Sequence, residues 1–158
     1  MICFFIYIFP ILIIDSYLFI VYENLTGLIE LGVNKCFRYW PEHPKESTMV
    51  CEISKMRVTV NDVATSKHAV MTTLTMEYQN EARAVRHIHL TDWPDSGVPK
   101  SPRAVLNLIE QLREVNKRGK GVQVIHCSAG IGRTGMNFCD SCSNLSNKKV
   151  LRIVRKFI

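Results

Sequence analysis

The alternation of apolar and polar residues predicts a β-rich middle to this chain. From Met49 to Leu90, short runs rich in Val, Thr, Ile, Met and Tyr alternate with polar positions. Such runs are typical of an antiparallel meander, and Asn61–Asp62 and Gln79–Asn80 supply turn residues between them. Before the meander, Thr26–Gly32 is predicted to form a short helix that Gly32 ends.

A loop, a helix and a buried strand are predicted after the meander. Thr91–Pro102 contains three prolines and is read as a loop. Ser101 is the predicted N-cap and Pro102 the first helical residue. The apolar residues that follow at helical spacing carry this helix to about Lys117; they are Val105, Leu108, Ile109 and Leu112. The short apolar run Val122–Ile125 is typical of a buried strand.

The two ends of the chain differ from this middle. Residues 1–22 are apolar except for Asp15 and Ser16, without the positive start and cleavage site of a signal peptide. Residues 1–14 are either a membrane segment or a stretch with no partner in this chain, because Pro10 and Asp15 interrupt the run. Residues 17–22 are predicted to be a core strand. Residues 148–158 have a helically spaced apolar stripe, but they are too few for a stable isolated helix.

Composition and charge narrow the class of protein. The 158 residues suffice for one domain or part of one, and 47% hydrophobic with 22% charged residues excludes collagen-like, coiled-coil and wholly disordered chains. Residues 35–158 carry a net charge of +9, because all 20 basic but only 11 of the 14 acidic residues lie there. This charge favours anionic partners without choosing among them, and no basic-aromatic stripe indicates nucleic acid.

Cysteine usage indicates a reducing compartment. The six cysteines are irregularly spaced in a chain that is not small enough to need disulfides. Cys139 and Cys142 form a lone CxxC with no second ligand pair for zinc. We therefore expect reduced cysteines and no bound metal.

The candidate chemistry lies in the loop His126–Gly135, directly after the buried strand. Its backbone N–H groups can surround one anion with a helix N-terminus behind them, and the same groups would stabilise a thiolate at Cys127. Arg133 offers a planar fork for two phosphate oxygens, and Thr134 can support the sulfur as a leaving group. The predicted phosphate cradle comprises Ser128, Ala129, Gly130, Ile131, Gly132 and Arg133.

The alternative for Cys127 is a small buried apolar residue, which is the commonest role of a lone cysteine. Five residues separate Cys127 from Arg133, a spacing that lets thiolate and guanidinium face one phosphate, and the glycines of the same loop favour the functional interpretation. His126 is interpreted as an orienting or packing residue behind the thiolate, and not as a proton carrier.

A second loop supplies a candidate acid. Expelling an alkoxide or phenoxide from a phosphomonoester requires a proton donor. Asp95 lies in a loop with a proline on either side of it. Trp93 is expected to anchor this loop and Gly97 to act as its hinge. The alternatives are that Asp95 is an ordinary turn residue or that Asp92 is the acid.

Three segments together resemble the tyrosine-specific protein tyrosine phosphatases. HCSAGIGRTG at 126–135 is similar to their signature loop, WPDSGVP at 93–99 to their acid flap and KCFRYWP at 35–41 to their KCxxYWP segment. The resemblance implies an α/β fold with a twisted mixed β-sheet flanked by helices. It also implies phosphotyrosine hydrolysis through a cysteinyl-phosphate, without metal or cofactor. On this mapping Cys127 is the nucleophile, Arg133 the phosphate clamp, and Asp95 the acid and then the base.

The resemblance spans about residues 18–138 and implies an incomplete domain, truncated at both ends. We expect an apolar segment at 1–16, a partial phosphatase domain at 17–142 and a divergent basic tail at 143–158. The family's pocket-lining tyrosine loop and its glutamine-bearing loop have no counterpart in this sequence. The expected partner is a phosphotyrosine-containing protein or peptide, in the cytoplasm or at a membrane through residues 1–22.

Three other functions stay open at this point. The chain could be a catalytically impaired phosphotyrosine-binding module, because the loops named above are absent from it. Dual-specificity and lipid phosphatases share the cysteine–arginine spacing, although KCxxYWP speaks against them. A rhodanese-like sulfur transferase would have a reactive cysteine but no need for Asp95.

Overall fold

The computed structural model describes residues 20–24, 27–42, 48–52, 54–94, 97–99, 101–118, 122–128, 132–135 and 150–152. The candidate membrane segment at 1–14 and the Cys139–Cys142 pair lie outside these residues. In the part of the chain that is described, no helix is long and apolar enough to cross a membrane.

In the described part of the chain, one mixed sheet has seven strands, and a short hairpin forms a separate two-stranded sheet. The strands are β1 (Ile20–Asn24), β2 (Ile29–Glu30), β3 (Val33–Asn34), β4 (Met49–Val50), β5 (Arg57–Thr65), β6 (Ala69–Tyr78), β7 (Glu81–Leu90), β8 (Val122–His126) and β9 (Val150–Arg152). The order in the sheet is β4-β5-β6-β7-β1-β8-β9. Among the described residues, β2 and β3 pair only with each other. The sequence prediction of a mixed sheet is confirmed.

The predicted antiparallel meander is present as β4 to β7. Gln79–Asn80 forms the turn between β6 and β7, with φ values of 48° and 68°, a left-handed conformation that suits asparagine. The turn predicted at Asn61–Asp62 is wrong. Both residues lie within β5, where the register shifts between Val60 and Asp62. The polar pair marks a bulge, because an irregular strand and a tight turn favour the same residue types.

The core strand predicted at 17–22 is found at β1, slightly later in the chain. It pairs in parallel with both β7 and β8, and Ile20 lies opposite Val85 on one side and Val122 on the other. This central position brings the meander and the strand that precedes Cys127 into one sheet.

One further prediction of local structure is wrong, and a segment in which a helix was expected to be marginal forms a strand. The helix predicted over Thr26–Gly32 is instead the β2–β3 hairpin, which turns at Leu31 and Gly32 with φ values of 51° and 74°. Seven residues are too few to separate a helical from a strand period. At the other end, Val150–Arg152 forms β9 alongside β8, and is not part of a helix. Pairing with β8 decided this, since an isolated helix of that length is marginal.

The helix predicted after the loop is confirmed as α1 (Pro102–Arg118). The backbone N–H of Ala104 donates to the Ser101 carbonyl at 3.0 Å and also faces the Ser101 hydroxyl oxygen at 3.4 Å. Serine at the cap and proline at the first position therefore begin this helix as the sequence indicates.

Both faces of the sheet are covered by apolar side chains. The first cluster contains Trp40, Met56, Val58, Val60, Leu74, Met76, Val85 and Val124. The second contains Ile88, Leu90, Trp93, Leu108 and Ile125, with Cys127 packed against it. Val124 and Ile125 are successive residues of β8 and belong to opposite clusters, as strand alternation requires. Burial on both faces holds the end of β8 in place.

Candidate active site

Cys127 is the first residue after β8, and the chain returns to a helical conformation at residues 132–135. The sequence of strand, loop and helix that the motif requires is therefore present. Cys127 and Ser128 are partly buried, and Gly132 is exposed. Ala129, Gly130 and Ile131 lie outside the described residues, so the middle of the predicted cradle stays a prediction.

Arg133 is buried and forms a two-pronged ion pair with Glu30. Its Nη1 donates to Glu30 Oε1 at 3.0 Å and its Nη2 donates to Glu30 Oε2 at 2.9 Å. The side chains are only 7% and 14% exposed, respectively. Glu30 Oε1 also accepts the backbone N–H of Gly27 at 2.9 Å. A planar guanidinium gripped by both carboxylate oxygens has a fixed orientation, which a lysine could not have.

Thr134 is fully buried beside Arg133 in the same helical turn. Its hydroxyl oxygen has no hydrogen-bond partner among the described residues. A buried hydroxyl without a partner costs free energy, which makes it a candidate for a functional role. Supporting the departing sulfur of Cys127 is the role that the sequence predicts for it.

Tyr39 connects two histidines behind the cysteine. Its hydroxyl lies 2.9 Å from His126 Nε2 and 3.0 Å from His87 Nε2. The other ring nitrogen of His126, Nδ1, is 3.0 Å from the Cys127 carbonyl oxygen. The network therefore ends on the backbone of the candidate nucleophile and restrains it.

Both histidines are held neutral. Burial, aided by repulsion from His89 and His126, lowers the pKa of His87 well below its ordinary value. Burial likewise lowers the pKa of His126 to about 4. The hydrogen bond to the Cys127 backbone acts in the opposite direction, and repulsion from His89 lowers the pKa further.

The hydrogen-bond directions follow from this neutrality. A carbonyl only accepts, so His126 carries its proton on Nδ1, and its Nε2 accepts from Tyr39. The Tyr39 oxygen must then accept from His87 Nε2. A neutral His126 cannot stabilise a thiolate as a cation, which agrees with an orienting role.

Because His126 is neutral in the folded protein, we expect the folded state to lose stability in acid. Its pKa is about 4 when folded and near 6.5 when unfolded, so the unfolded chain binds the extra proton between those values. Stability contributed by this group is therefore complete above pH 6.5 and is lost as the pH falls towards 4. At 1.36 kcal/mol per pKa unit the loss from His126 is about 3 kcal/mol. Urea unfolding followed by tryptophan fluorescence between pH 7 and 4 measures it.

The matched variant for this prediction is His126→Gln, which can still donate and accept hydrogen bonds but does not titrate. Its free energy of unfolding should decline less steeply over the same pH range. Equal slopes for the wild type and the variant would contradict the prediction.

The candidate acid loop is only partly described, and Asp95 itself lies outside the described residues. Trp93 is buried and its indole N–H donates to the Gly97 carbonyl at 3.4 Å, which anchors the loop. Asp92, the alternative acid, has its Oδ2 2.5 Å from Nδ1 of His68. Asp92 is thus engaged with the β5–β6 turn. This engagement favours Asp95 as the acid.

Sequence reasoning missed two residues of this site, Glu30 and Tyr39. Glu30 occurs in a segment predicted to be helical, and nothing local indicates its partner. Tyr39 occurs within the KCFRYWP segment, whose resemblance could have identified it as important without revealing its contacts. The side chains that Glu30 and Tyr39 contact lie far from them in the sequence, so no local pattern reveals these contacts.

Comparison with known proteins identifies the family. The family model described as protein-tyrosine phosphatase matches residues 13–155. The chain is 33% identical over 143 residues to human tyrosine-protein phosphatase non-receptor type 2, covering 84% of this chain and 34% of that protein. It is 34% identical over 114 residues to tyrosine-protein phosphatase 99A of Drosophila melanogaster, covering 70% of this chain and 9% of that protein.

Solved structures agree in fold. The catalytic domain of human protein tyrosine phosphatase non-receptor type 18 superposes with a TM-score of 0.74 at 27% identity, covering 87% of this chain and 48% of that one. A complex of the type 18 phosphatase with HER2 phosphopeptides gives a TM-score of 0.73 at 26% identity, covering 87% and 50%. This chain thus spans about a third of the type 2 phosphatase and half of the solved type 18 chains. With the family model matching most of its length, the chain belongs to the protein tyrosine phosphatase family of enzymes.

Proposed function

We propose that this protein hydrolyses phosphotyrosine in proteins or peptides, through a cysteinyl-phosphate on Cys127. The phosphatase part comprises residues 17–142, and β9 (Val150–Arg152) adds a further strand to its sheet. The HER2 phosphopeptides bound to the type 18 phosphatase support phosphotyrosine peptides as the ligand class. The alternative is a phosphotyrosine-binding module with impaired turnover.

In the first step the Cys127 thiolate attacks phosphorus, and the bond from phosphorus to the tyrosyl oxygen breaks. Arg133 and the backbone N–H groups from Ser128 to Arg133 bind the phosphoryl oxygens, whose charge they match. Asp95 gives its proton to the departing phenolate oxygen. The products are a neutral tyrosine and a phosphorylated cysteine.

In the second step water attacks phosphorus, and the bond from phosphorus to sulfur breaks. Asp95, now a carboxylate, removes a proton from that water. The Thr134 hydroxyl donates to the developing thiolate and stabilises it as the leaving group. Inorganic phosphate leaves, and Cys127 returns to its starting state.

The pair between Glu30 and Arg133 is the observation that carries this proposal. A buried arginine whose two Nη groups both bind one carboxylate is held in one orientation, six positions after the cysteine that follows a buried strand. Such pre-organisation is what an anion-binding catalytic site requires. Neither a structural cysteine nor a sulfur transferase explains the buried arginine together with an acid loop.

The chemistry also requires a reduced cysteine. We therefore place the protein in the cytoplasm, where thiols are kept reduced. Residues 20–22 belong to the central strand β1, so a membrane attachment would have to use residues before them.

Trapping the intermediate tests the proposal. The full chain is mixed with a phosphotyrosine peptide and quenched in acid, and mass spectrometry locates the phosphate. We expect it on Cys127, with none on Cys36 and none in the Cys127→Ser variant, because Cys127 lies in the same loop as Arg133, with five residues between them in the motif. The same experiment with a phosphoserine peptide separates this activity from that of a dual-specificity phosphatase.

Each result has one meaning. Phosphate on Cys127 from the phosphotyrosine peptide alone supports the proposal. Peptide binding without any phosphocysteine or phosphate release supports the binding module instead. Phosphate on another cysteine would contradict the assignment of the nucleophile.

A further inference from the structure

The tip of the β2–β3 hairpin exposes two apolar side chains that the fold does not need. Leu31 is 99% exposed and Val33 is 55% exposed. Exposed single hydrophobic residues are common, but these two are neighbours at one tip. We call Leu31 and Val33 the hairpin tip.

The backbone at Leu31 is unusual. Its φ of 51° is left-handed, a conformation that glycine and asparagine adopt readily and leucine rarely does. The two-residue turn formed with Gly32 (φ 74°) would therefore be better served by asparagine or glycine at position 31. Leucine at this position is strained and buries nothing, so its side chain does not serve the fold of the described residues. An observed outlier of this kind points to function.

The hairpin tip lies beside the phosphate clamp. Val33 is the cross-strand partner of Glu30 in the hairpin. Residues paired in this way have Cβ atoms about 4.5–5.5 Å apart on the same face. The Glu30 carboxylate on that face grips the Arg133 guanidinium. An apolar surface is therefore attached directly to the group that holds the phosphate.

We propose that the hairpin tip binds apolar residues that flank phosphotyrosine in the peptide substrate. This inference rests on the proposed function and adds a sequence preference to it. Because Glu30 contacts Arg133 and Val33 pairs with Glu30, the residues next to a phosphotyrosine held by Arg133 would come near Val33 and the adjacent Leu31. Peptides with leucine next to the phosphotyrosine would bury Leu31 and Val33, whereas polar neighbours would not.

Equilibrium binding to the full chain tests the proposal. The Cys127→Ser background prevents turnover, and fluorescence anisotropy compares three ligands: phosphotyrosine alone as a competitor, a labelled phosphotyrosine peptide flanked by leucines, and one flanked by glutamines. We expect the leucine-flanked peptide to bind about tenfold more tightly, the factor that partial burial of one or two aliphatic side chains supplies.

Two variants should remove this preference. Leu31→Asn removes the apolar group and suits the left-handed backbone, and Val33→Thr keeps the shape and strand preference of valine. Each should lower the preference to about twofold or less without changing affinity for the glutamine-flanked peptide. Leu106→Asn is the matched control, because Leu106 is an exposed leucine on α1, and it should leave the preference intact.

Thermal unfolding excludes a trivial cause. Leu31→Asn should raise the melting temperature by about 2–4 °C, because it relieves the left-handed strain. A binding defect in a more stable protein cannot come from unfolding.

Three results would overturn the inference. One is equal binding of the two peptides by the wild-type tip, and another is a preference that survives both variants. The third is a dimer that Leu31→Asn converts to a monomer, since the tip would then bind a second copy. Failure to bind any phosphotyrosine ligand, including phosphotyrosine alone, would instead overturn the proposed function and this inference with it.

Discussion

Replacing Asp95 with alanine is expected to lower phosphate release from a phosphotyrosine peptide by about 10²–10⁴-fold, while peptide affinity changes little. A general acid acts on the leaving oxygen only in the transition state, so its removal affects turnover and not binding. The effect should shrink for an aryl phosphate whose phenol is far more acidic than tyrosine, because that leaving group needs no proton. Turnover on both substrates, together with anisotropy binding in the Cys127→Ser background, measures these effects.

The matched control for this prediction is Asp92→Ala. Asp92 contacts His68, so its loss should disturb the start of the acid loop without removing a proton donor. Turnover should then fall less than in Asp95→Ala, and by a similar factor for both leaving groups. A selective loss with basic leaving groups in Asp92→Ala would instead make Asp92 the acid.

Replacing Glu30 with alanine is expected to lower the free energy of unfolding by about 3–5 kcal/mol. Arg133 would remain buried with its charge uncompensated, which costs far more than the loss of one surface ion pair. The phosphopeptide affinity of the folded fraction should fall as well, because the guanidinium loses the carboxylate that orients it. Urea unfolding of the full chain measures the first effect and anisotropy the second.

Two further variants test whether Glu30→Ala lowers stability because the buried Arg133 charge loses its partner, or because a carboxylate is lost. Glu52→Ala removes an exposed glutamate paired with Lys55 and should change stability little. Arg133→Met in the Glu30→Ala background removes the unpaired charge and should recover much of the lost stability. A double variant no more stable than Glu30→Ala alone would show that the buried charge is not the cause.

Adding a methyl group at Gly27 would disturb the Glu30–Arg133 pair less than removing Glu30 does. A methyl group on Gly27 would lie 3.2 Å from Glu30 Cγ and 3.3 Å from Oε1, closer than most such contacts. The carboxylate that Gly27 contacts is also the one that holds Arg133. The backbone at Gly27 is therefore part of the support of the phosphate clamp.

Local sequence determined the elements whose signals lie within a few residues. Alternation over 49–90 predicted the meander, Ser101 and Pro102 predicted the start of α1, and the run at Val122–Ile125 predicted β8. Those signals are the backbone preferences of individual residues and the regular spacing of buried side chains. Both can be read within a single segment of the sequence. The motif after β8 likewise placed Cys127 and Arg133 at the junction of strand and helix.

Tertiary structure alone decided which side chains meet. Glu30 and Arg133 are 103 positions apart, and Tyr39 lies 48 positions from His87 and 87 from His126. These contacts exist because β1 joins the meander to β8, a pairing that no local period specifies. The segment expected to be a helix at Thr26–Gly32 is a hairpin instead, and Glu30 of this hairpin compensates the buried charge of Arg133. A buried charge needs a partner of opposite charge. The three-dimensional fold determines which residue is that partner.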